Sequence, residues 1–125
     1  MEKLTIKQTD NTPYINFETN GFFEIKGKSI SEKSYFIFKE VFDWLEEYAK
    51  SPGKETIINI QLDYFNSITS KCLFTIFKKL ENIHQNNNSK VMVRWFYKKH
   101  DEELHEAGKD FQSIIKLPFE IIEIL

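Results

Sequence analysis

Three hydroxyl side chains, Ser67, Thr69 and Ser70, crowd the segment Leu62-Asp63-Tyr64-Phe65-Asn66-Ser67-Ile68-Thr69-Ser70-Lys71. A serine or threonine hydroxyl is a poor nucleophile without a base beside it, yet it accepts a phosphoryl group readily from a kinase. The segment links a strand pattern to a helix pattern, and in open parallel sheets function collects at that end of a strand. A phosphate there would add about −1.5 to −2 charges at a helix N-terminus, where backbone N–H groups and the dipole stabilise an anion. The plain alternative is helix capping by Asn66 or Ser67.

The other reactive side chains offer less. The sequence has no glycine-rich phosphate loop, no G-x-S-x-G elbow and no Cys/His metal cluster, so neither a cofactor nor a metal is expected. His100 and His105 are five residues apart, which on a helix is about 500° and makes their rings diverge. Both read as solvated surface residues. His84, near a helix end, reads as a cation that suits the dipole. Cys72 follows Lys71 in the first turns of a helix, a setting that can lower a thiol pKa, although a small buried apolar residue is the simpler reading. Asp101, Glu102, Glu103 and Glu106 complement the dipole of a short helix. In Trp95-Phe96-Tyr97, strand alternation assigns Trp95 and Tyr97 to the core and leaves Phe96 half exposed.

Charge and composition narrow the classes. The 125 residues carry 17 basic and 19 acidic side chains, a net charge of −2. Every basic residue but Arg94 is lysine, and this scarcity of guanidinium forks argues against nucleic acid. Aromatics at 15%, with four glycines and three prolines, exclude a disordered or collagen-like chain. No apolar run reaches the ~18 residues of a membrane span, and Met1-Glu2-Lys3-Leu4-Thr5 has no signal-peptide core. One cysteine cannot form an internal disulfide, which fits a reducing cytoplasm.

The elements that position these residues follow from periodicity. Leu4 and Ile6 alternate as a weak strand. Tyr14–Phe17, Asn20-Gly21 and Phe22–Lys26 read as a hairpin closed by a type I′ turn. Ser31–Ser51 is a helix with Ser31 as N-cap and Phe38, Val41, Phe42, Leu45, Tyr48 and Ala49 inward. Thr56–Leu62 is a strand, Ser67 to about His84 a helix, and Asn86–Ser89 a polar loop. Val91–Tyr97 is a strand, Asp101 to about Phe111 a helix, and Phe119–Ile124 a closing strand. Strands alternating with helices imply parallel pairs at the sheet centre. Each strand has one apolar and one mixed face, so helices should cover mainly one side. The expectation is one α/β domain over residues 1–125, two layers deep, with a mixed sheet of about six strands.

Tyr64-Phe65-Asn66-Ser67-x-x-Ser70-Lys71 resembles the Y-F-N-[ST]-x-x-x-K signature of the SiaC family of bacterial regulatory phosphoproteins. The similarity extends through Thr12-Pro13, Phe23–Gly27, Asp43–Tyr48, Arg94–Tyr97, Glu106–Phe111 and Leu117–Glu120. The resemblance implies a STAS-like fold, similar to anti-sigma-factor antagonists, and a non-catalytic partner-switching protein. By resemblance Ser67 is the phosphoacceptor, with Thr69 and Ser70 as fallbacks, and Tyr64, Asn66, Ser67, Thr69, Ser70 and Lys71 form the partner surface. It further implies a cognate Ser/Thr kinase, a PP2C-type phosphatase, and activation of a diguanylate cyclase that affects biofilm formation and aggregation. Two rival readings stand beside it. One is a small-ligand or nucleotide-binding domain using residues 63–71; the other is a scaffold that associates through Phe22, Met92 and Phe96.

Overall fold

The computed structural model describes residues 1–86 and 88–125; the expected loop at Asn86–Ser89 therefore lies partly outside the described residues, at Asn87. The elements are β1 (Leu4–Ile6), β2 (Tyr14–Phe17), β3 (Phe22–Ser29), α1 (Ser34–Tyr48), β4 (Glu55–Phe65), α2 (Ser67–Gln85), β5 (Lys90–Lys98), α3 (Glu102–Ile114) and β6 (Phe119–Ile124). The six strands form one sheet in chain order. β1, β2 and β3 pair antiparallel, and β3 to β6 pair parallel through the helices. The expected α/β architecture is present.

Alternation decides the layers. Register aligns Phe17, Phe23, Ile58, Val93 and Phe119 in one row and Ile15, Ile25, Ile60, Trp95 and Ile121 in the next. These side chains meet the helices. Trp44 of α1 packs edge-on to Phe17 and Phe23, and Phe111 of α3 packs on Trp95. Trp95 is fully buried and donates its indole N–H to the Leu104 carbonyl at 2.9 Å. Gly108 lets α3 approach it, since a Cβ there would stand 2.6 Å from the Trp95 ring. Among the described residues, no helix covers the opposite face.

Four local expectations are corrected. The hairpin is not closed by a type I′ turn, because Gly21 has positive φ but Asn20 does not. Glu18 N–H donates to the Phe22 carbonyl at 2.9 Å and Gly21 N–H to that of Glu18 at 3.1 Å, so this pair closes a three-residue loop with Gly21 in the left-handed position. Glycine is required at 21 because a Cβ would lie 2.1 Å from the Glu55 carbonyl oxygen. Ser31 does not cap α1. Its hydroxyl accepts from Lys33 N–H at 3.0 Å within a preceding turn, and the helix starts at Ser34. His84 lies in the last turn of α2 but is not free there; its Nδ1 accepts from Val91 N–H at 3.1 Å, which ties the ring to β5. His105 is half-buried rather than solvated, stacked on Tyr97 at 4.4 Å between ring centres.

Candidate functional site

The segment that carries the hydroxyls begins with a register slip. Gly27 pairs with Leu62 but Lys28 pairs with Tyr64, so Asp63 is left without a β3 partner. One extra residue inverts the alternation beyond it. Leu62 is buried, Tyr64 turns outward to 60% exposure, and Phe65 turns inward, edge-on to Trp95 at 6.0 Å. Strand β4 thus runs three residues past the expected Leu62, and its end is re-aimed before α2 begins.

Asn66 then joins three elements. Its backbone is extended, and its Oδ1 accepts from Thr69 N–H at 2.9 Å, the capping geometry that asparagine favours. Its N–H donates to the Ser29 carbonyl at 3.1 Å, at the end of β3. Its Nδ2 donates to the Ser31 carbonyl at 3.3 Å, at the approach to α1. Of the two capping candidates, Asn66 is the cap.

The three hydroxyls separate once placed. Thr69 is fully buried; it donates to the Ser29 carbonyl at 2.9 Å, and its oxygen lies 2.6 Å from Ser29 Oγ. Burial therefore contradicts Thr69 as a fallback phosphoacceptor or surface contact. Ser70 is half-buried at a cavity of about 210 Å³ lined with Phe65, Ala107 and Phe111. Ser67 is exposed at the first position of α2. With Asn66 capping Thr69, the N–H groups of Ser67 and Ile68 are the first-turn donors without an intrahelical partner. Lys71, four residues on and exposed, lies one turn along the same face.

The surroundings are apolar and basic. Ile30, Tyr35, Phe36 and Tyr64 are exposed at 46%, 51%, 69% and 60%. They stand at the ends of the parallel strands β3 and β4 and in the first turn of α1, which makes one apolar rim. Lys28 Nζ sits 5.8 Å from the centre of the Tyr64 ring, and Lys98 pairs with Asp63 at 3.1 Å. A small hollow of about 190 Å³ between the helices is lined by Tyr35, Phe42, Ile68, Lys71, Cys72 and Thr75. Burial raises the Cys72 thiol pKa, the opposite of an activated thiol. Both hollows next to the segment are below the ~300 Å³ of typical small-molecule sites. An open cleft of about 800 Å³ lies alongside, between the Thr9–Thr12 loop and Phe36. Among the described residues no group of three or more His, Cys, Asp or Glu could hold a metal ion, and no helix is long and apolar enough to cross a membrane.

Sequence reasoning located Tyr64, Asn66, Ser67, Ser70 and Lys71 in one region but missed the slip at Asp63, the Ser29–Thr69 contact and the exposed pair Tyr35 and Phe36. The last had a signal. Four successive apolar residues, Tyr35 to Phe38, cannot all fit one helical stripe, so some had to point outward.

Comparison with known proteins returns a consistent answer. The model of the SiaC family of regulatory phosphoproteins matches residues 6–124. An uncharacterised protein of Pseudomonas aeruginosa strain UCBPP-PA14 is 30% identical over 122 residues, covering 97% of this chain and 96% of that protein. The crystal structure of apo-SiaC from Pseudomonas aeruginosa superposes with a TM-score of 0.88 at 29% identity, covering 98% of this chain and 99% of that one. A chain in the crystal structure of diguanylate cyclase SiaD in complex with its activator SiaC, from the same organism, matches with a TM-score of 0.88 at 30% identity, covering 97% and 99%.

Proposed function

Because the chain belongs to the SiaC family of regulatory phosphoproteins, we propose that it is a non-catalytic cytoplasmic switch that binds and activates a diguanylate cyclase. Phosphorylation of Ser67 by a cognate kinase releases the cyclase, and a PP2C-type phosphatase restores binding. Biofilm formation and aggregation are the downstream outputs.

The observation that carries this reading is the position of Ser67, exposed at the first residue of α2 and bordered by an apolar rim. A protein partner seated on Tyr35, Phe36 and Tyr64 would cover that hydroxyl. Phosphate there adds about −1.5 to −2 charges that must be desolvated on binding. Within the chain the dianion is stabilised by the first-turn N–H groups and by Lys71, an i,i+4 pair. It strengthens the start of α2 while changing the sign of the surface, so the fold survives the modification. Ser70 is the fallback acceptor.

Binding to the cyclase, measured with Ser67→Ala and Ser67→Asp, tests the switch. Ser67→Ala should bind constitutively and Ser67→Asp at least tenfold more weakly, about 1.4 kcal/mol. Equal affinities would refute it, as would kinase-treated protein carrying its phosphate elsewhere by site mapping.

A further inference from the structure

One row of the open sheet face is polar across its whole width. Register aligns Thr5, Asn16, Glu24, Asn59, Arg94 and Glu120, one residue from each strand. Glu24 forms an ion pair with Lys26 at 3.0 Å, and Arg94, the single arginine of the chain, lies 3.9 Å from Glu120. Glu24 and Arg94 flank Asn59 on either side, on β3 and β5. The row is therefore of opposite charge about β4. At its centre the Asn59 side-chain oxygen is enclosed and has no hydrogen-bond partner. The neighbouring row on one side is apolar, Phe22, Ile57 and Met92. On the other side stand Lys26, Gln61 and Phe96.

We propose that this face binds a second copy of the chain about a twofold axis parallel to β4. Such a rotation lays β3 of one copy over β5 of the other and keeps each row in place. Glu24 then meets the second copy's arginine at position 94, and Arg94 its glutamate at 24. Asn59 faces its own counterpart across the axis, one amide opposite the other. In the flanking rows Ile57 packs on Ile57, Phe22 on Met92, and Lys26 over the Phe96 ring, a cation–π geometry. An isologous interface requires a patch complementary to itself, and a charge pattern antisymmetric about its central strand meets that requirement.

The size of the patch sets the strength. Six strands about 4.8 Å apart and three rows about 6.7 Å apart cover on the order of 400–500 Å² per copy. Aligned sheets cross at about 30°, so close contact concentrates on β3 to β5. The total lies at or below the lower end of specific interfaces, which predicts a reversible dimer in the micromolar range. This surface is separate from Ser67 and stands or falls independently of the switch.

Sedimentation equilibrium of the full chain over about 10–500 µM, the range expected for so small a patch, tests the proposal. The unaltered chain should show a monomer–dimer equilibrium. Glu24→Arg and Arg94→Glu should each weaken it at least tenfold, by setting like charges across the axis. An equimolar mixture of the two variants should recover the dimer, because each acidic pair then faces a basic one. Recovery also proves that both variants fold. Asn59→Asp, which keeps the side chain's shape, should weaken association by placing two carboxylates on the axis. A chain that stays monomeric throughout, single variants that dimerise unchanged, or a mixture that stays monomeric would each overturn the proposal.

Discussion

Removing the Thr69 hydroxyl tests how α2 is fastened to the sheet. Thr69 Oγ1 donates to the Ser29 carbonyl at 2.9 Å and so must accept from Ser29 Oγ, 2.6 Å away, with both residues fully buried. In Thr69→Val the carbonyl keeps its bond from Asn66 N–H, whereas the Ser29 hydroxyl loses its acceptor. An orphaned buried donor costs about 1–3 kcal/mol, and the lost hydroxyl–carbonyl bond about 0.5–1.5. The expected loss is about 2–4 kcal/mol, or near 10 °C in melting temperature for a chain of this length. Ser29→Ala alone leaves the Thr69–carbonyl bond intact and should cost about 1 kcal/mol. The double variant contains no orphan, so it should be about 1–2 kcal/mol more stable than the sum of the singles. Urea titrations with unchanged slope provide the values. Thr69→Val within about 0.5 kcal/mol of the unaltered chain, or strict additivity in the cycle, would refute the clamp.

Gly108→Ala should destabilise the chain by about 1–2 kcal/mol, although alanine favours a helix by about 1. The new Cβ meets Trp95, which is fully buried and bonded to Leu104; a melt showing stabilisation would contradict this. Glu81 is buried, and its carboxyl pKa is lowered first by the hydrogen bond from Lys78 at 2.7 Å and then by that from Lys116 N–H at 2.7 Å. A depressed folded-state pKa contributes stability that is present above the unfolded value, about 4.3, and is lost as pH falls through the folded one. Glu81→Gln should therefore be less stable at neutral pH and show a flatter loss in acid. Parallel acid titration curves for the two proteins would remove Glu81 from that role.

Much of the fold was legible because each element has one dominant apolar period. β6 was bounded to the residue, and the buried faces of β3, β4 and β5 were assigned from alternation alone. Most of the misreadings share a cause, a partner on another element; Ser31 is the exception, its hydroxyl taken by Lys33 N–H two residues on. Asn20-Gly21 predicts a type I′ turn when only local preference acts, but close approach of the Glu55 carbonyl selects a longer connection that needs glycine at 21 alone. His84 reads as a free side chain at a helix end because nothing in the periodicity shows that Val91 N–H, on the next strand, points at its ring. The slip at Asp63 leaves no periodic trace, since Asp63-Tyr64-Phe65 reads equally well as the loop after a strand.

The same distinction separates the two surfaces. Asn66, Ser67 and Lys71 lie within one helical turn and a cap, so local spacing suffices to bring them together. The row containing Glu24, Asn59 and Arg94 joins residues about 35 apart, and only strand register aligns them. Alternation did fix one consequence in advance. With Trp95 inward, Arg94 must face away from the helices, and it lies on the open face beside Glu120. The chain's one guanidinium is thus committed to the sheet and is absent from the start of α2. A phosphate on Ser67 would be held by backbone N–H groups and the Lys71 ammonium, without the bidentate fork that clamps phosphates most tightly. Were Ser67 the acceptor proposed above, its phosphate would be held loosely enough for a phosphatase to reach, and reversibility would follow from where the arginine is not.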